Sequence, residues 1–292
     1  MISCQPNHRH KHGSRYHGAV LAAFFVLTFA LSWTAWVAAT AIPDSATALS
    51  MIRTPIFLLG VFSPGICAIG LTALADGGRG VASLLTQIGR WQVGVRWYLF
   101  AAGYIVVVKL TVALIHRAVT GVWPRFGDTP WALMVLAMLV STWVQAGEEL
   151  GWRGYVLPRL ATRIGLGPAS VGLGVIWASW HLPLFLSPAT DTYGQSFPLY
   201  LLQVIAISVI LAWLYWRADG SLLLVMLMHA AVNNTKDIVP SAVPGASNAF
   251  ALSTSLVAWL TVGLLWVTAA YFLVDMRGAD LAGAIAQGDR RI

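Results

Sequence analysis

Charge is scarce in this 292-residue sequence: Lys and Arg total 18 and Asp and Glu 11, so charged residues make up 10% of a chain that is 58% hydrophobic. An ordinary soluble domain carries about a quarter charged residues, and a chain this apolar needs lipid as its solvent. Cysteine is almost absent. Cys4 lies in a polar N-terminal stretch and Cys67 in an apolar run, which supports neither a disulfide framework nor a thiolate metal site. Internal repeats, low-complexity linkers and a soluble domain are all missing, which excludes solenoid and multidomain architectures. Glutamate, normally among the commonest residues, occurs only at Glu148 and Glu149.

What the sequence has in abundance is long apolar segments, with a mean hydropathy of +0.73. A spanning helix needs about 20 mostly apolar residues, and eight segments qualify, at about 18–42, 51–75, 97–120, 131–158, 168–187, 196–216, 220–235 and 249–275, the seventh being short. The expected fold is therefore all-α, a polytopic transmembrane helical bundle of about eight spans. It divides into a basic His-rich tail (1–17), one transmembrane domain (18–275) and a C-terminal tail (276–292). The first apolar run exceeds the 7–15 residues of a signal peptide and reads as an uncleaved span. His8, His10, His12 and His17 stand among Arg9, Lys11 and Arg15 and read as a solvated basic tail. The 14 tryptophans suit the two membrane interfaces, where aromatic rings gather. Pro64 and Pro183 fall inside apolar runs, where each removes a backbone hydrogen bond and kinks its helix.

The net charge of +7 calls for no nucleic acid, because the basic residues fall between the apolar segments. With the N-terminus inside, 13 of them lie on the cytoplasmic side, including Arg79, Arg90, Arg96, Arg159, Arg163, Arg217 and Arg277. Arg53, Arg117, Arg125 and Lys236 lie opposite, and Lys109 falls within the third span. The asymmetry predicts a multi-pass protein of a bacterial-type plasma membrane with both termini cytoplasmic.

Charged groups at membrane depth are costly and mark function by default. Glu148 and Glu149 follow the apolar run from Trp131 to Ala146, and the largely apolar stretch after them predicts that the helix continues and holds the pair within the membrane. Glu149 and Arg153, four apart, face each other on a helix, whereas Glu148 is rotated by about 100°. Glu149 and Arg153 are then a structural clasp, and Glu148 is free to face a cavity as a base. His181 and His229 lie well inside apolar segments, and Asn233 shares a helix face with His229; His116 reads as interfacial. At about 1.5 Å per residue, Glu148, His181 and His229 fall roughly 21, 20 and 14 Å from the cytoplasmic side, close enough to meet in one layer.

The segments Glu148-Glu149-Leu150-Gly151-Trp152-Arg153, Trp177-Ala178-Ser179-Trp180-His181 and His229-Ala230-Ala231-Val232-Asn233 resemble, in order and spacing, the EExxxR, FxxxH and HxxxN motifs of the CPBP (CAAX protease and bacteriocin-processing, or Abi) family. The resemblance covers about 131–235; one departure is Trp177, where the family usually has Phe. It implies an intramembrane endopeptidase in which Glu148, aided by His181, activates water, His229 and Asn233 stabilise the oxyanion, and Glu149 and Arg153 support the site. It implies a membrane-associated peptide or lipidated protein as substrate, reached laterally or from the cytoplasm, with no cofactor. Two other readings use the same residues. Glu148, His181 and His229 could instead ligate zinc in a metalloprotease, although no HExxH helix is present. A transporter or proton relay also uses intramembrane Glu and His, but the polar residues have no counterpart in the first half, as related halves would require.

Overall fold

The computed structural model describes residues 9–42, 50–241, 248–279 and 283, with side chains from residue 18 onward. The tail histidines, Cys4, Arg290 and Arg291 lie outside the described side chains. All regular structure among the described residues is helical: α1 (Arg9–Ala41), α2 (Ser50–Thr86), α3 (Val95–Thr120), α4 (Trp131–Val144), α5 (Ala146–Glu149), a π-helical segment (Leu150–Val156), α6 (Leu157–Ile164), α7 (Leu166–Trp180), α8 (Leu182–Leu186), α9 (Phe197–Arg217), α10 (Leu222–Asn234) and α11 (Leu256–Asp275).

Among the described residues, seven stretches are long and apolar enough to cross a membrane, two of them composite: Trp131–Ile164 runs from α4 through α6, and Leu166–Leu186 joins α7 to α8. The eighth apolar segment forms α10, whose 13 residues extend only about 20 Å, short of the roughly 30 Å hydrocarbon core. The molecule is a polytopic helical membrane protein. The span from Trp131 continues past the glutamates to Ile164, and α2 runs beyond 75 to Thr86, broken at Gly77 (φ 65°), a left-handed conformation that glycine adopts without strain. The last span begins at Leu256 rather than 249.

Three helices after the site-bearing span start at serines whose hydroxyls accept an N–H of the first turn: Ser196 from Leu199, Ser221 from Leu224 and Ser255 from Ala258. The central helix is α9, continuously buried from Val204 to Tyr215, as expected of a helix apolar on every side. It packs against α7 and α11, and Trp213 stacks on Phe272 at 3.8 Å.

Two helices pack closely beside the glutamates. A Cβ added at Gly151 would stand 2.5–2.7 Å from atoms of Pro64, and one at Gly147 2.8–3.0 Å from Phe62. These two glycines, four apart, let α2 lie directly against the helix on both sides of the acidic pair, the way small residues draw membrane helices together. Far from this contact, Gly127 N–H donates to the Asp237 carbonyl at 2.8 Å and Thr129 N–H to Asp237 Oδ2 at 2.9 Å. Hydrogen bonding from Thr129 holds the Asp237 carboxyl below its usual range.

Candidate active site

Two local breaks aim the functional side chains. Pro183 has no N–H and cannot continue α7, which ends at Trp180; His181 takes the capping position before α8. Helix α4 ends at Val144, and the chain resumes as α5 and then widens into the π-helical segment. Such π turns are rare and concentrate at functional sites. Glu148 and Glu149 close α5, immediately before the widening.

The two carboxylates have different surroundings. Glu149 is fully buried. Its Oε1 accepts from Arg153 Nη1 at 2.8 Å and lies 2.8 Å from His229 Nδ1, and its Oε2 lies 3.1 Å from Arg153 Nη1. Arg153 is also fully buried; its Nε and Nη2 have no hydrogen-bond acceptor, and its guanidinium lies over the Trp177 ring, 4.2 Å from the centroid. Glu148 turns the other way, into a cavity of about 390 Å³. Its Oε2 accepts from the Trp177 indole N–H at 2.8 Å.

The same cavity is lined by His181, His229 and Asn233, so the four residues read from the sequence as one reacting set share a wall. His181 Nδ1 is 2.9 Å from the Trp177 carbonyl. A carbonyl only accepts, so Nδ1 carries the proton and neutral His181 offers Nε2 as an acceptor. Trp180 (4.7 Å) and Tyr200 (5.6 Å) pack edge-on against the ring. A carboxylate likewise only accepts, so His229 donates Nδ1–H to Glu149 and its Nε2 is free of that bond. Asn233 is exposed, one turn beyond His229 on the same face of α10. Glu149 and Arg153 stand behind this wall. Glu149 joins Arg153 to His229, a link the sequence reading did not contain.

The cavity also exposes groups the sequence left unassigned. Lys109, in the middle of α3 and almost fully buried, donates to the Val239 carbonyl at 3.0 Å and the Ser241 hydroxyl at 2.6 Å. Tyr200 and Gln203 line the wall from α9. A lone cation in mid-span was a usable signal for Lys109; nothing in an apolar run marks Tyr200 or Gln203 as facing a cavity. The cavity lining extends to Asp191, Gln195, Lys236, Ser241 and Ser253, in the segments joining α8 to α9 and α10 to α11. Asp191 and Lys236 form an exposed ion pair of 2.7 Å there. Among the described residues, no three His, Cys, Asp or Glu side chains gather as a metal-binding set.

This arrangement can perform general-base chemistry beside hydrogen-bond donors, inside a low-dielectric bundle. Residues 128–235 match the family described as "Type II CAAX prenyl endopeptidase Rce1-like". Separately, 113 residues are 28% identical to the "CAAX prenyl protease 2" of Methanococcus maripaludis. That match covers 37% of this chain and 40% of the relative, so the chain aligns with less than half of the relative's length.

Proposed function

We propose that this chain belongs to the CPBP family, its motif-bearing segment 128–235 being similar to the type II CAAX prenyl endopeptidases, and that the protein is an intramembrane endopeptidase that uses glutamate-activated water. The observation that carries this reading is that Glu148, His181, His229 and Asn233, from three separate stretches of the chain, line one cavity within the helical bundle, while Glu149 and Arg153 are buried and do not line it.

In this mechanism Glu148 removes a proton from a water whose oxygen attacks the scissile carbonyl carbon. His181 Nε2, an acceptor because Nδ1 serves the Trp177 carbonyl, aligns that water through its second proton. The carbonyl oxygen becomes an oxyanion, received by the Asn233 amide and by His229 Nε2. Since His229 Nδ1–H is committed to Glu149, donation from Nε2 makes the ring an imidazolium. Two carboxylates, one guanidinium and one imidazolium then sum to zero charge, the inexpensive state for a cluster in lipid. Collapse of the tetrahedral intermediate breaks the C–N bond, and the proton held by Glu148 passes to the leaving amine.

The substrate is a membrane-associated peptide or a lipidated protein. The relative is named a CAAX prenyl protease, and a cavity inside a membrane-spanning bundle suits a substrate held by an apolar anchor. It reaches the site laterally or through the mouth beside Asp191 and Lys236. The test compares membrane peptides cleaved with and without the purified protein, repeated after exhaustive chelation. Cleavage that survives chelation is the expected result; cleavage lost on chelation and restored by zinc would transfer Glu148, His181 and His229 to a metalloprotease.

A further inference from the structure

We infer that Trp177 is a positioning residue for this reaction: its indole N–H holds one oxygen of the Glu148 carboxylate and so fixes which oxygen faces the reacting water, a function that the Phe usual at this place in the family cannot supply. The inference rests on the reading of Glu148 as the base.

Three contacts carry it. Trp177, buried in α7, donates to Glu148 Oε2 at 2.8 Å. That bond leaves the other carboxylate oxygen to take the proton from water, so the donor selects which oxygen reacts. The indole face lies under Arg153, whose Nε and Nη2 have no acceptor, so the ring also supports the cation that holds Glu149. The ring edge meets His229 at 5.1 Å and His181 at 6.0 Å between centroids. One side chain therefore touches every ionisable group of the cluster except Glu149. A hydrogen bond to the charged form favours that form, and it matters most where water is excluded. Phe preserves an aromatic face for Arg153 but has no donor, so the indole N–H is a feature of this chain's own site.

A packing role and a positioning role predict different outcomes. Trp177→Phe keeps a ring and removes the N–H; β-(3-benzothienyl)alanine at 177 keeps the full bicyclic shape and removes the N–H alone, which covers a folding defect in the first variant. Trp177→Leu removes both ring and donor. The measurement is kcat/KM against pH for folded protein on one membrane peptide. Loss of a hydrogen bond to a charged group should move the acidic limb to higher pH by about one unit or more, lowering kcat on that limb about tenfold to a hundredfold with KM unchanged. Trp177→Leu should lose folded yield as well. An acidic limb that stays in place, with kcat within about twofold of wild type for the benzothienyl variant, would overturn the inference. Glu148→Ala in the same series separates the two claims: if it is inactive while the benzothienyl profile is unmoved, only the role of Trp177 falls, whereas an active Glu148→Ala removes the base reading and this inference with it.

Discussion

At the scale of single residues, two adjacent carboxylates are divided by their partners. Glu148 meets a cavity and an indole donor; Glu149 meets Arg153 and His229. Glu149→Gln would leave Arg153 as an unpaired buried charge at a cost of about 3–5 kcal/mol, so folded yield and the thermal midpoint in detergent should both fall. Replacing the pair together, as Glu149→Leu with Arg153→Met, should recover the midpoint, since apolar side chains of similar size substitute for a buried ion pair at little cost. Activity should stay lost in the double variant, because His229 has lost the carboxylate that holds its Nδ1–H. Recovery of activity along with the midpoint would reduce Glu149 to a clasp. The sequence carried the opposite facing of the two carboxylates, because helical spacing alone puts Glu149 opposite Arg153. It did not carry the bond from Glu149 to His229, which depends on how α10 packs on α5 across 80 residues of chain. The donor role of Trp177 was equally hidden, since a motif records only that an aromatic stands there.

At the scale of elements, the span that bears the acidic pair is a composite. Continuation past Glu149 follows from the apolar stretch up to Pro158, but the π-helical widening from Leu150 to Val156 does not, because periodicity arguments assume about 3.6 residues per turn. The contact with α2 was also invisible: Gly147 and Gly151 count as small residues in any sequence, and only the approach of Phe62 and Pro64 shows why nothing larger fits. Gly151→Ala should therefore lower stability by about 1–3 kcal/mol, as expected of overpacking, and should reduce turnover by displacing the glutamates. Gly263→Ala, in α11 where an added Cβ meets nothing within 4 Å, is the control and should leave both unchanged. Thermal unfolding of the two variants in the same detergent checks this; equal midpoints would mean that the α2 contact is loose.

At the scale of the whole molecule, the cavity mouth lies among the segments joining α8 to α9 and α10 to α11. The more basic connections, carrying Arg90, Arg96, Arg163 and Arg217, lie at the other ends of these helices. The orientation proposed from the basic residues, with both termini in the cytoplasm, would direct the mouth to the opposite face, and a peptide coming from the cytoplasm would then have to reach the cavity laterally. In a Cys4→Ser/Cys67→Ser background, Thr254→Cys should react with an impermeant maleimide added outside intact cells, and a reporter fused after Ile292 should read cytoplasmic. Both signals on one side would contradict the fold; both reversed would overturn the charge-based orientation while leaving the fold intact. The existence and order of the spans were legible because hydrophobic length is a strong signal. The mouth was not, because it depends on three-dimensional convergence of polar residues scattered from Lys109 to Ser253.

The central claim is that Glu148 is the base on water in a peptidase site, and the measurement that tests it most directly is turnover of a fluorogenic membrane peptide by purified variants, normalised to folded protein. Glu148→Ala should show no turnover above the uncatalysed background. His181→Ala and His229→Ala should come close to that limit, since groups acting as one unit give losses that do not add, and Asn233→Ala should lose about a hundredfold or more as an oxyanion donor. Full turnover by folded Glu148→Ala would contradict the account.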